Sequence, residues 1–159
     1  MTKAKVAING FGRIGRLIFR QIFNDKDLEV VAINDLTDAK TLAHLLKYDT
    51  AHGIMQNNIS YDETSIIVDG KKFPIFAEKD PSLLPWKKLG VDIVIEGTGR
   101  YVTLEGSSKH LEAGAKKVLI TAPAKGGDVK TVAYSVNENI LTKEDKVVSA
   151  VSCTSNCLA

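Results

Sequence analysis

The sequence has 159 residues, 44% hydrophobic and 25% charged, and its 21 Lys and Arg against 19 Asp and Glu give a formal net charge of +2. These values are typical of one globular domain, and the near balance of charge argues against nucleic acid or an anionic membrane surface as a partner. The longest apolar run, at 30–33, is far shorter than the roughly 18 residues that span a bilayer. The N-terminus also lacks the apolar stretch of a secretory signal. We therefore expect a cytoplasmic protein without a membrane segment.

Short apolar runs alternate with amphipathic segments along the chain. The runs are continuous rather than alternating, which predicts strands buried on both faces of a parallel sheet. The amphipathic segments predict helices, with Asp38 as the N-cap of the second, Leu104, Ser108 and Leu111 on one face of the third, and Gly114 ending it. The predicted strands are 6–8, 28–33, 91–95, 118–120 and 147–151, and the predicted helices are 13–24, 39–47 and 104–113.

One segment interrupts this alternation. Apolar residues at 66–68 and 73–76 flank Asp69-Gly70, a pair suited to the positive φ angles of a tight hairpin turn. The sequence therefore predicts an α/β fold of the Rossmann type, with a doubly wound, mostly parallel sheet and an antiparallel hairpin excursion at about residues 59–76.

A glycine-rich turn follows the first predicted strand. Gly10, Gly12 and Gly15 form a G-x-G-x-x-G pattern at the start of the first predicted helix. In that pattern the first glycine permits the tight turn, the second lets a pyrophosphate approach the backbone, and the third lets helix and strand pack closely. The helix N-terminus then offers N–H groups and a partial positive charge to phosphates. Alone the pattern is weak, but a strand before it and a helix after it favour a dinucleotide site.

Asp35 ends the second predicted strand, twenty residues after Gly15. A carboxylate at this point can accept hydrogen bonds from a ribose hydroxyl and would repel a 2′-phosphate, which favours NAD over NADP. The alternative is a helix-capping or solvated acid.

Two later strand ends have a similar character. Residues 96–99 (Glu-Gly-Thr-Gly) and 121–124 (Thr-Ala-Pro-Ala) follow predicted strands. Small and hydroxyl residues at the carboxyl ends of parallel strands are where a doubly wound sheet binds its ligand. Either loop alone could be ordinary turn chemistry.

The two cysteines, Cys153 and Cys157, are too few for a disulfide framework and lack C-x-x-C spacing, so we predict no metal site. If a helix begins at Ser152, Cys153 lies in its first turn, where the helix dipole favours a thiolate nucleophile. A buried small residue is the other interpretation of a cysteine, and it fits Cys157 better.

Together these motifs resemble the N-terminal half of glyceraldehyde-3-phosphate dehydrogenase. Ala150 and Ser155 stand where that family commonly has Asn and Thr, Gly97 where Cys or Ser is common, and Tyr134 to Asn137 where Gly-Val-Asn is usual. The matching segments lie at 8–16, 34–36, 46–49, 52–53, 78–81, 96–99, 121–126, 152–154 and 156–159.

The resemblance implies an NAD-dependent oxidoreductase of glycolysis that oxidises glyceraldehyde 3-phosphate with inorganic phosphate to 1,3-bisphosphoglycerate, through a cysteine thiohemiacetal and thioester. It implies a homotetramer. Cys153 would be the nucleophile, with Ser152 and Thr154 beside the substrate. The implied cofactor-binding residues are Asn9, Gly10, Phe11, Gly12, Arg13, Ile14, Gly15, Asn34, Asp35, Lys79, Thr98, Gly99 and Thr121. Among them Arg13 and Ile14 would meet the pyrophosphate, Asp35 the adenosine ribose, Lys79 the adenine side and Thr121 the nicotinamide half.

The same resemblance places the catalytic base on a histidine downstream of the cysteine. The histidines before it, His44, His52 and His110, are better explained as structural or solvated. We therefore expect a fragment, with an NAD-binding domain at 1–151 and the start of a catalytic domain at 152–159. Two alternatives stay open: an erythrose-4-phosphate dehydrogenase, which shares these motifs, and a stand-alone NAD-binding module without turnover.

Overall fold

The computed structural model describes residues 2–159, which form a central sheet flanked by helices. The α-helices are α1 (Arg13–Ile22), α2 (Ala39–Lys47), α3 (Trp86–Leu89), α4 (Leu104–Glu112) and α5 (Cys153–Leu158), with 3₁₀ turns at Pro81–Leu83 and Glu138–Ile140. The strands are β1 (Ala4–Asn9), β2 (Leu28–Asn34), β3 (Ile59–Tyr61), β4 (Ser65–Val68), β5 (Lys71–Phe76), β6 (Ile93–Glu96), β7 (Lys117–Ile120), β8 (Lys130–Thr131) and β9 (Val147–Ser149).

Over these residues the sheet has nine strands in the order β3-β4-β5-β2-β1-β6-β7-β9-β8. Pairing is parallel from β5 through β2, β1, β6, β7 and β9 to β8. Both β3 with β4 and β4 with β5 are antiparallel. The predicted Rossmann-type fold and the antiparallel excursion at 59–76 are therefore confirmed. At the turn of the excursion Asp69 and Gly70 have φ angles of 48° and 81°, as the sequence predicts.

The core lies on both faces of the sheet, because successive residues of a buried strand point to opposite sides. Ile8 packs on the side of α1 and α2, where Phe19 contacts Phe11 and Phe73 edge-on at centroid distances of 5.6 and 4.9 Å. Ala7 faces the other side, where Trp86 is the largest buried side chain. Helices therefore cover the central strands from both sides, which leaves the strand ends as the place for a ligand.

The structure corrects several details of the predicted elements: α1 ends at Ile22 rather than at residue 24, and β6 begins at Ile93 rather than at residue 91. The buried face of α4 carries Ser107 and His110, whereas Leu104 is 40% exposed. This face is polar because the Ser107 hydroxyl donates to the carbonyl oxygen of Tyr101 and His110 belongs to a buried hydrogen-bond network, described below. The last strand ends at Ser149, two residues early, and Val151 has a φ angle of 52° that carries the chain out of the sheet before α5.

None of the helices within residues 2–159 combines the length and the apolar character needed to cross a membrane.

Candidate functional site

A crevice of about 430 Å³ opens at the carboxyl ends of β1, β2 and β6. Its volume is within the usual range for small-molecule sites, and its position is where doubly wound sheets bind ligands. The lining residues are the last residues of β1 and β2 and residues of the loops that follow β1, β2, β5 and β6. They are Asn9, Gly10, Gly12, Asn34, Asp35, Leu36, Glu78, Lys79, Gly97, Thr98, Arg100 and Tyr101.

The glycine turn forms one wall of the crevice and packs tightly on the protein side. Gly10 has a φ angle of 91°, and a Cβ at this position would lie 2.8 Å from the backbone nitrogen of Thr98. A Cβ on Gly15 would lie 2.2 Å from the carbonyl oxygen of Gly10. A Cβ on Gly12, by contrast, would meet no atom of the surrounding chain within 4 Å. The turn is therefore closed toward the sheet and open toward a ligand at Gly12.

Asp35 lies at the end of β2 beside this turn. Its Oδ2 accepts the backbone N–H of Phe11 at 2.7 Å, and its Oδ1 accepts the backbone N–H of Thr37 at 2.9 Å. The N-cap of α2 is Asp38, which accepts the backbone N–H of Thr41, so Asp35 does not cap that helix. Since each carboxylate oxygen can accept two hydrogen bonds, the fixed Asp35 carboxylate keeps capacity for a ligand hydroxyl.

The loops after β5 and β6 form two further walls of the crevice. The side chain of Asn34 bonds both backbone groups of Glu78, at 2.9 Å each. The hydroxyl of Tyr101 donates to the carbonyl oxygen of Lys79 at 2.7 Å. Lys79 is therefore presented at the crevice by a backbone that is held from two sides.

About half of the predicted cofactor residues line the crevice, and the others lie outside its lining. Arg13 and Ile14 are exposed in the first turn of α1, and Gly99 follows Thr98 in the loop after β6. Phe11 is fully buried in the core, and Gly15 is buried beneath the turn. Thr121 lies beyond β7, where its hydroxyl donates to the carbonyl oxygen of Glu96 at 3.1 Å.

Sequence reasoning assigned no crevice role to several lining residues. Glu78 follows β5, which runs parallel to β2, while Arg100 and Tyr101 extend the loop after β6. The sequence signal for Glu78 was the apolar run at 73–76, which ends the hairpin excursion. A strand there that runs parallel to β2 has its carboxyl end at the same edge of the sheet as the glycine turn.

The cysteine segment forms the short helix α5 after β9. Ser152 is its N-cap, with the side-chain oxygen accepting the backbone N–H of Ser155 at 3.1 Å, so Cys153 is the first helical residue as predicted. Both Cys153 and Cys157 are exposed, and the expected burial of Cys157 is therefore wrong. The helix has one apolar residue, Leu158, and no buried face, which is why Cys157 is not covered.

The three histidines lie at two places. The His44 ring lies tilted against the Tyr48 ring, at a centroid distance of 4.9 Å, and His52 contacts Asp49 at 3.1 Å. Both histidines lie in the last turn of α2 or just beyond it. This helix packs on β3 and β4, at the opposite edge of the sheet from β9 and α5. His110 is fully buried under the crevice. Residues 2–159 contain no cluster of three His, Cys, Asp or Glu side chains placed to hold a metal ion.

Comparison with known proteins gives a consistent result. Residues 4–104 match the family described as the NAD-binding domain of glyceraldehyde 3-phosphate dehydrogenase. The chain is 60% identical over 158 residues to that enzyme from Thermotoga maritima, 56% over 155 residues to the one from Mycoplasma pneumoniae, and 54% over 156 residues to the one from Geobacillus stearothermophilus. These matches cover 98% of this chain but only 46 or 47% of each relative, so the chain spans about half the length of the curated relatives it matches. The family match over residues 4–104 and the fold agree, and the chain belongs to the family of the glyceraldehyde-3-phosphate dehydrogenase NAD-binding domain.

Proposed function

We propose that this chain binds NAD in the crevice and forms the cofactor half of a dehydrogenase that oxidises glyceraldehyde 3-phosphate with inorganic phosphate. The observation that carries the proposal is the pairing of an open glycine turn at Gly12 with the Asp35 carboxylate at the end of the next strand. Family membership and the names of the relatives support the same cofactor and the same substrate, ahead of erythrose 4-phosphate.

The residues present fit a dinucleotide. The pyrophosphate would lie over Gly12 and the first turn of α1, where backbone N–H groups lack intrahelical partners. Asp35 would accept from the adenosine ribose, Lys79 would lie on the adenine side, and Thr121 would lie toward the nicotinamide half. Thr98 and the backbone around it would form the wall of the crevice between the adenosine half and the nicotinamide half of the dinucleotide.

The proposed chemistry begins at Cys153. Its sulfur attacks the aldehyde carbon of the substrate and gives a thiohemiacetal, with Ser152 and Thr154 beside the substrate. Oxidation of the thiohemiacetal to the thioester removes a hydride from its carbon and a proton from its hydroxyl group. The hydride would pass to NAD when it is bound, and the proton would pass to the histidine that the family resemblance places downstream of Cys153. An oxygen of inorganic phosphate then attacks the thioester carbon, the carbon–sulfur bond breaks, and the acyl phosphate leaves with the thiolate restored at Cys153.

The organisation of the whole enzyme belongs to the same proposal. Residues 1–151 would be the NAD-binding domain and residues 152–159 the beginning of the catalytic domain. A cytoplasmic homotetramer is the assembly that the family resemblance implies. The exposed apolar side chains of Tyr134 and Val136, after the edge strand β8, support the burial of this part of the chain against further protein.

The test of the proposed cofactor is the discrimination between NAD and NADP. We expect NAD to bind at least tenfold more tightly, because like charges roughly 4 Å apart repel by about 4 kcal/mol at an effective dielectric constant near 20. Asp35→Asn should reduce the difference between the dissociation constants for NAD and NADP. The measurement is isothermal titration calorimetry of both cofactors with the wild-type and variant chains.

The matched control is Asp38→Asn. It removes the same charge three residues away, and Asn is as good an N-cap as Asp, so α2 is preserved. Its preference for NAD should equal that of the wild type. Equal affinity of the wild-type chain for NAD and NADP would contradict the role assigned to Asp35.

A further inference from the structure

A carboxylate and an imidazole are buried together beneath the floor of the crevice. Glu96, the last residue of β6, is 1% exposed, and His110 on α4 is 0% exposed. Acidic side chains are almost never buried to this extent unless they are paired. Among the described residues no Lys or Arg forms an ion pair with Glu96. Hydrogen bonds must therefore compensate for its loss of water.

The direction of these hydrogen bonds is fixed from one side by Trp86. The indole Nε1–H can only donate, and it contacts Nδ1 of His110 at 3.1 Å. Nδ1 is therefore the acceptor, and the ring proton is on Nε2. That nitrogen lies 3.0 Å from Oε2 of Glu96, to which it donates.

The direction is fixed from the other side by a backbone group. The N–H of Glu78 donates to Oδ1 of Asn34 at 2.9 Å, so the Nδ2 of Asn34 is the donor to Oδ1 of Asn9, at 2.7 Å. The Nδ2 of Asn9 in turn donates to Oε2 of Glu96 at 2.6 Å. Both amides thus have one permitted orientation, and the chain of bonds again ends on Glu96.

The second oxygen of Glu96 holds the crevice wall. Its Oε1 accepts the backbone N–H of Thr98 at 2.8 Å and also the Thr98 hydroxyl. Four donors therefore converge on one side chain, and only a carboxylate accepts from all of them. Through Asn9 and Asn34, Glu96 thus connects Thr98, in the wall after β6, with the backbone of Glu78, in the wall after β5.

We propose that Glu96 and His110 are positioning residues of the cofactor site, which fix these two walls of the crevice at their binding positions before the dinucleotide arrives. The inference rests on the proposed function, since it names what holds that same site in shape. Pre-organised walls need no ordering when the ligand binds, and this raises affinity without an added contact. Neither side chain needs to touch the cofactor.

Glu96→Gln tests the proposal because Gln has the same size but carries a donor at one terminus. If the NH₂ group of Gln takes the place of Oε2, it faces the Nδ2–H of Asn9 and the Nε2–H of His110, which are also donors. If it faces Thr98, it opposes the backbone N–H. His110 cannot shift its proton to Nδ1, because Trp86 already donates there. Every arrangement leaves donors facing each other, and buried donors without an acceptor are costly.

The measurement is amide hydrogen exchange by NMR on the ligand-free chain, followed by titration with NAD. In Glu96→Gln we expect the backbone N–H groups of Thr98 and Glu78 to exchange about tenfold faster or more, relative to core amides of β1 and β2. The dissociation constant for NAD should rise by about tenfold.

Asp92→Asn is the matched control. Asp92 lies just before β6, at the end of the strand away from the crevice, and accepts the backbone N–H of Lys5 at 2.8 Å while pairing with Lys116 at 2.7 Å. This variant should lose stability yet keep the wild-type exchange of Thr98 and Glu78 relative to the core. If Glu96→Gln behaves like Asp92→Asn, Glu96 is only structural and the proposal is overturned.

A measurement on the wild type keeps the proposal testable if Glu96→Gln does not fold. Long-range ¹⁵N NMR should show the proton of His110 on Nε2 and none on Nδ1; a doubly protonated ring or the other tautomer would overturn the argument. Amide exchange on the ligand-free chain tests the positioning role without any binding of NAD. If the wild-type chain shows no affinity for NAD, that result refutes the proposed function but leaves the test of the positioning role valid.

Discussion

Gly12 and Gly15 of the glycine turn have different roles, as the atoms around each of them show. Gly15 lies against the carbonyl oxygen of Gly10, while Gly12 has open space on the crevice side. One position is therefore required for packing and the other for access of a ligand. Substitution by Ala at each position distinguishes the packing role from the role in ligand access.

Gly15→Ala is expected to destabilise the chain. Its Cβ would lie 2.2 Å from the carbonyl oxygen of Gly10, so the turn and α1 must move apart. Overpacking of this kind typically costs about 1–3 kcal/mol. The free energy of unfolding from urea titration is the measurement.

Gly12→Ala is the comparison. Its φ angle of −68° and its open surroundings suit Ala, so the free energy of unfolding should change little. Its affinity for NAD should fall by about tenfold or more, because the methyl group occupies the space over which the pyrophosphate would lie. A large loss of stability in Gly12→Ala, or none in Gly15→Ala, would contradict this division.

At the scale of elements, the short edge strand β8 is tied to the loop before β9 by Asp145. Its Oδ2 accepts from Nζ of Lys130 at 2.8 Å and from the backbone N–H of Thr142 at 2.6 Å. Hydrogen bonds from the Lys130 ammonium group, which has the larger effect, and from the Thr142 N–H lower the pKa of Asp145 from the ordinary 3.8 to about 2. A two-residue strand has few ladder hydrogen bonds of its own, so this carboxylate helps to hold it.

This lowered pKa predicts the pH dependence of stability. A carboxyl whose pKa is depressed in the folded state stabilises it above the unfolded pKa, and the contribution disappears as pH falls toward the folded pKa. The stability difference between the wild type and Asp145→Asn should therefore be constant from pH 7 to about 5. It should fall to roughly half near pH 3. Urea titrations of both chains across this range are the measurement.

Glu63→Gln is the control for that experiment. Glu63 is an exposed carboxylate to which the structure assigns no hydrogen bond within residues 2–159, so its removal changes the net charge alone. Its stability difference from the wild type should stay near zero across the range. A difference for Asp145→Asn that does not depend on pH would contradict the role of Asp145.

At the scale of the whole molecule, the order of strands separates the histidines from Cys153. His44 and His52 belong to the edge formed by β3 and β4, whereas α5 follows β9 near the other edge. His110 is buried and bonded to Trp86 and Glu96. Within residues 2–159, therefore, no histidine is placed to take a proton at the exposed thiol of Cys153.

From this separation we expect the 159-residue chain to bind NAD without catalysing steady-state oxidation of glyceraldehyde 3-phosphate. General-base assistance is typically worth about 10²–10⁴ in rate, and substrate positioning adds to the loss. The measurement is NADH production in the presence of substrate and phosphate, with Cys153→Ser as the background. Turnover within about tenfold of a typical enzyme's roughly 10 s⁻¹ would show that a sufficient base lies within these residues.

Strands β1, β2, β6, β7 and β9, the glycine turn and the hairpin excursion could be predicted from the sequence, because each depends on local patterns. Continuous apolar runs identify buried strands, G-x-G-x-x-G requires a strand before it and a helix after it, and Asp69-Gly70 suits a single turn geometry. These signals lie within a few residues of the structure that they specify.

The surroundings of the crevice could not be predicted in this way, because they depend on contacts between distant parts of the chain. The polar face of α4 could not be predicted from its periodicity, because His110 is buried against Glu96 on β6 and Trp86 on α3, which lie 14 and 24 residues away in the sequence. The exposure of Cys157 likewise depends on what packs against α5 rather than on its spacing from Cys153. A buried polar side chain needs particular donors and acceptors at hydrogen-bond distance, and only the folded chain brings those groups together.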